Sequence, residues 1–169
     1  TARAYAQQHF VHHASGRLNE SMDAVEVGLS PVGQNNSGLL GGGIVVASEL
    51  GKYHLASQMA EKLISIGLDS DNDPHGSSAV ALAVPSLAIS ISDEGMLKKA
   101  KEAAKDVLSD ASAVPDWTLA AAAGLAIISV DSGDDSEAEN LFKRLLPHSG
   151  EFVRPAVFSI DRILANLAA

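Results

Sequence analysis

Cysteine is missing from all 169 residues, which removes disulfides, thiolate zinc sites and cysteine nucleophiles together. The absence does not decide a compartment; a soluble chain is expected, with the cytoplasm as the default. Positive charge is scarce. Lys and Arg number 12 against 21 Asp and Glu, for a formal net charge of −9, and such a chain is repelled by phosphate backbones and anionic lipid. Nucleic acid is therefore not an expected partner. Aromatic residues make up 4%, with Trp117 the single tryptophan, which argues against an α/α-toroid enzyme lined by acids and aromatics. The longest uncharged runs, GSSAVALAVPSLAISIS and WTLAAAAGLAIISV, fall short of the roughly 20 apolar residues that a membrane span needs. The first residue is Thr1, without an initiator methionine, a basic stretch leading into an apolar one, or a transit-peptide composition. A processed chain or a segment of a longer one is expected.

What is present is hydrophobic and repetitive. Hydrophobic residues are 46% of the chain, enough for one domain, spanning 1–169, with a core of its own. The stretch ELGKYHLASQMAEKL opens a pattern that recurs from Gly16, Gly51, Gly95 and Gly133. The residues at +2, +5, +9, +12 and +13 are Tyr53, Ala56, Ala60, Leu63 and Ile64 after Gly51; Leu97, Ala100, Ala104, Val107 and Leu108 after Gly95; Leu18, Ser21, Val25, Gly28 and Leu29 after Gly16; and Asp135, Ala138, Phe142, Leu145 and Leu146 after Gly133. Each glycine lies between two helix-like segments and suits the left-handed position that ends one helix before the next begins. Small residues at +5 let the second helix approach the first. Second helices are predicted over about 53–66, 95–109 and 134–146, with apolar residues at three- and four-residue spacing and charges between them. First helices are predicted over about 37–50, 77–92 and 117–130, apolar nearly all round and so covered on more than one side. LDSDNDPHG and SDASAVPD carry loop chemistry. Pro85 predicts a kink or a late helix start, and Gly41–Gly43 predicts close helix contact or a loose turn. FVRPAVFSIDRILANLAA opens a fifth unit, with Pro155 suited to a first helical turn.

These residues resemble the tetratricopeptide repeat over about residues 5–169. The shared features are the glycine before the second helix, the large residue at +2, alanine at +5, the apolar pair at +12/+13, the pairs Leu87–Ala88 and Leu125–Ala126 before their glycines, and Pro74 and Pro147 near repeat ends. The resemblance implies an all-α, right-handed solenoid of antiparallel hairpins, about four pairs plus a terminal helix, whose inner helices line a groove for a partner peptide or helix. Carried onto this chain, the groove-facing positions are Gly41, Val45 and Ser48, then Leu82, Ile89 and Ser92, then Ala123, Ile127 and Val130.

Glu49, Asp93 and Asp131 each precede a glycine by two residues, where an acid opposes the helix dipole. Either they form an acidic rim favouring a basic amphipathic peptide, or they are solvated turn residues. Asp69, Asp71, Asp73 and His75 begin like a calcium loop, but the glycine and glutamate such a loop needs at its sixth and twelfth positions are replaced by Pro74 and Val80. His9, His12 and His13 read as a polar helix face rather than a metal site, since no HExxH glutamate accompanies them. Lys98, Lys99, Lys101 and Lys105 alternate with Glu102 and Asp106 as on a solvated face. There is no nucleophile elbow and no phosphate-binding glycine loop, so no catalytic residue, metal or cofactor is expected. The reading is a protein-interaction or scaffolding module. Its alternative is an accessory or regulatory part of a larger enzyme or signalling protein whose own chain fills the groove.

Overall fold

Four nearly identical turns set the architecture. In each, a backbone N–H reaches the carbonyl five residues earlier: Arg17 to His12 (2.9 Å), Lys52 to Ala47 (2.8 Å), Asp93 to Ala88 (2.8 Å) and Asp134 to Ser129 (3.1 Å). This bond closes a helix through a left-handed residue, here Gly16 (φ 73°), Gly51 (φ 71°), Ser92 (φ 57°) and Gly133 (φ 66°). Three of the four predicted glycines therefore turn the chain. The third does not: Gly95 lies inside a helix and Ser92 takes the turn, because Asp93 follows it as an N-cap whose side chain accepts from Met96 N at 2.9 Å. The buried face survives this shift. Three residues are most of a 3.6-residue turn, so Ala100, Ala104 and Val107 remain buried.

A computed structural model describes residues 1–30, 33–68, 74–154 and 157–168. Its helices are α1 (Ala2–Ala14), α2 (Leu18–Gly28), α3 (Ser37–Glu49), α4 (Tyr53–Leu68), α5 (Pro74–Ile91), α6 (Glu94–Ser109), α7 (Pro115–Ser132), α8 (Asp135–Leu145) and α9 (Ile160–Leu167). The odd-numbered helices form a row in which each touches the next, and each even-numbered helix packs on the odd helix before it and the one after it. The chain is all-α apart from a two-residue antiparallel ladder, β1 (Phe152–Val153) on β2 (Phe158–Ser159). The fifth unit accordingly enters its helix at Ile160 through a strand. Its expected helical start at Pro155 lies outside the described residues, as does the stretch 69–73 with Asp69, Asp71 and Asp73.

The row is held by small residues at close range. Ala79, Ala81 and Ala83 of α5 and Ala120 to Ala123 of α7 are fully buried. A methyl on Gly124 would overlap the carbonyl oxygen of Ala81. Pro85 explains which carbonyl that is. It lies inside α5 and lacks the N–H that would bond Ala81 four residues earlier, a loss worth about 3 kcal/mol in an unsupported helix. The freed carbonyl is directed at the one residue type whose Cα leaves it room. The helix runs from Pro74 through Pro85 to Ile91, so no late start occurs. Gly41–Gly43 likewise belong to an unbroken helix: Gly42 receives the ring of His9, and Gly43 faces Met59 and Val25.

Candidate functional site

The positions expected to line a groove divide into two groups. Gly41, Val45, Leu82 and Ala123 are buried inside the chain, because α3, α5 and α7 are each covered by two odd neighbours and by even helices. Those four offer no surface to a partner. Ser48 is half-buried and donates to Ile44 O (2.7 Å), and Ser92 is consumed by the turn. Ile89, Ile127, Val130 and Asp131 do come together, in a pocket of about 240 Å³ that is also lined by Phe158, Arg162, Ile163 and Asn166 near α9. Once the third turn is placed at Ser92, the residues three and six before the turns are Ile89 and Ser86 in α5, and Val130 and Ile127 in α7. All four line that pocket.

The three acids sit in three different environments. Glu49 accepts from His13 Nε2 at 2.7 Å. Asp93 lies two residues past the end of α5 and also caps the N-terminus of α6, where its charge complements the dipole. Asp131 stands at the edge of the small pocket beside Arg162. With the corrected turn, the residue equivalent to Glu49 and Asp131 in the third unit is Ser90, so the repetition disappears.

A larger cavity, about 780 Å³, lies at the opposite ends of the odd-numbered helices. One wall is α1, which supplies Arg3, Ala6, His9 and Phe10. The N-terminal ends of three parallel helices complete it: Asn36 and Gly38 of α3, His75 and Ser78 of α5, Asp116 and Trp117 of α7. Two of these ends carry recognisable start signals. Asn36 Oδ1 accepts only from Leu39 N (2.9 Å), and Pro115 begins α7 without an N–H. The chain returns from α8 to close the cavity, with Phe152 edge-on to Phe10 (84°, centroids 6.4 Å apart) and the Arg154 guanidinium 4.8 Å from the Phe10 ring centre, a cation–π arrangement. Trp117 faces His75 at 6.1 Å. Arg3 and Arg154 thus meet positive helix ends, and Asp116 is the one acid lining the cavity among the described residues.

The wall made by α1 has a polar interior that the histidine pattern did not predict. His9 and His13 read as part of a polar helix face, and that face is turned inward: they are 1% and 8% exposed. The ring of His9 lies on Gly42, where no Cβ could stand. Its Nδ1 is 2.7 Å from Ser21 Oγ, whose hydroxyl also reaches His9 O at 3.0 Å, and its Nε2 has no partner. Burial pushes the imidazole down to about 4, a nearby charge on His13 or His12 pushes the same way, and the Ser21 hydrogen bond opposes them. A signal for this was present in the sequence: Ser21 occupies the +5 position where the three other glycine-aligned units carry Ala56, Ala100 and Ala138. Phe10 was also legible, six residues before Gly16 as Ile127 is before Gly133. Arg154 was not, because only the returning chain brings it to Phe10.

Among the described residues, no group of three or more His, Asp and Glu side chains is placed to hold a metal ion, and no helix is long and apolar enough to cross a membrane. No family model matches the chain, and neither a curated protein nor a solved structure matches it.

Proposed function

We propose that the chain is a non-catalytic protein-interaction module, a right-handed tetratricopeptide-like solenoid of hairpins that holds an extended segment of a partner protein in the 780 Å³ cavity. The fourfold turn and the odd-on-odd packing support the solenoid reading. The observation that carries the functional reading is the convergence of Arg3, Arg154 and three helix N-termini beside Phe10 and Trp117, in a chain whose net charge is −9. Charge of that sign gathered at one concave place selects an acidic segment, with an apolar side chain for the aromatic walls. The partner favoured is therefore acidic, and not the basic amphipathic peptide that an acidic rim would have drawn.

Selection from a random peptide library, followed by titration of the selected peptides against Trp117 fluorescence, tests this. Enriched peptides should carry Asp or Glu beside an apolar residue. Their affinity should fall about tenfold or more in an Arg3→Glu, Arg154→Glu variant, weaken with salt, and stay unchanged in Asp131→Lys. Enrichment of basic peptides, or binding indifferent to the two arginines, would overturn the reading.

A further inference from the structure

Among the described residues, the α1–α2 hairpin joins the row mainly through α3, with a further contact of Phe10 with Phe152 and Arg154. At the centre of its interface with α3 is a histidine seated on glycine, buried and short of a partner. We propose that this hairpin is an acid-released wall: protonation of His9 drives α1 off α3 and opens the large cavity at the Phe10 side. What the opening would do, namely discharge a bound segment, rests on the preceding reading; the release itself does not.

The surroundings of His9 leave a charge on it without compensation. From its own helix it meets His13, ring centres 5.7 Å apart, and His12, both of which oppose its protonation. From α2 it meets the Ser21 hydroxyl, which bears no charge. From α3 it meets the backbone of Gly42. The acid of α3 in this cluster, Glu49, is bonded to His13 instead. The rest of the cavity lining adds the cations Arg3 and Arg154, together with His75 and, as the one carboxylate among the described residues, Asp116. Glu49 is thus taken up by His13 at 2.7 Å and supplies no counter-ion to the His9 ring.

The sign follows from linkage. Above His9's ordinary value of 6.5 the ring is neutral whether the hairpin is docked or free, and docking has its full strength. Between 6.5 and about 4 the free hairpin binds a proton that the docked one refuses, so docking weakens by about tenfold per pH unit, on the order of a hundredfold by pH 4, and then levels off. An edge hairpin can open by itself because its local stability is below that of the whole fold.

The test is a methyl and aromatic NMR titration of the full chain from pH 7.5 to 4.0, kept dilute because the pI is about 5.0. Signals of Phe10, Met22 and Val25 should leave their docked positions together, with a midpoint between about 4 and 6.5, while Leu125 and Ile128 of α7 stay. His9→Gln, which fills much of the ring's volume without titrating, should keep the hairpin docked throughout. If that variant is already undocked at pH 7.5, a His12→Gln, His13→Gln chain decides, and its hairpin must still release in step with the His9 ring signal. A hairpin that stays docked at pH 4.0, a chain that unfolds all at once, or a transition that survives in a docked His9→Gln variant or disappears with His12 and His13 would overturn the proposal. No partner is used, so peptides that fail to bind refute the docking reading alone.

Discussion

The α5–α7 junction and the α1–α3 junction solve one packing problem in opposite ways. Both bring two helices of the row close by placing glycine at the crossing, Gly124 in one and Gly42 in the other. At α5–α7 the space left by the missing side chain is filled by backbone, the Ala81 carbonyl that Pro85 cannot bond. At α1–α3 it is filled by the imidazole of His9, with Ser21 on one nitrogen and nothing on the other. At the Gly124 crossing the first junction is closed by a backbone group, which does not titrate. The second is polar and titratable, at the edge of the fold. Glycine at a helix crossing thus fixes how near the helices come, while the occupant of the gap fixes whether the contact can be switched.

Gly124→Ala should break the comparison most severely. The added methyl meets backbone that cannot rotate away, so a loss of about 3 kcal/mol or more is expected, read as a lowered urea midpoint with all probes moving together. Gly42→Ala should cost about 2 kcal/mol but locally: His9 loses its seat, and hydrogen exchange should quicken across α1 and α2 while α5 to α8 keep their protection. An equal effect of the two changes on both regions would erase the distinction between the junctions. Ser21→Ala leaves His9 Nδ1 without its partner in a buried place, a cost of about 1–2 kcal/mol, and hairpin release should then begin at higher pH. Ser92→Gly has the smallest effect and the opposite sign. Relieving a left-handed non-glycine residue should stabilise the chain by about 1 kcal/mol, seen as a raised Tm with no change in exchange at α1.

The periodic part of this molecule was legible because it is written in short-range terms. Tyr53–Leu68 and Ser37–Glu49 follow from apolar spacing and a glycine between them, and both lie within a residue or two of the predicted ranges. The turn at Ser92 was hidden because serine rarely adopts a left-handed φ, and Gly95 three residues later preserved the same buried face. The buried fate of Leu82 and Ala123 depends on covering by α3, α5, α7 and their even neighbours, which no single helix encodes. The cavity had the same cause. Arg3 and Arg154 are far apart in the chain and meet only because α1 and the segment after α8 close on one another.

The contact between Gly124 and the Ala81 carbonyl also has a mechanical meaning. Two surfaces that meet backbone to backbone cannot slide without first lifting apart, and a side chain that could yield is missing from the seam. Bending is therefore expelled from the middle of the row toward its edge, where a ring on a rotatable bond forms the seam instead. The proposed release of the α1–α2 hairpin is thus placed at the seam that a side chain, not backbone, closes.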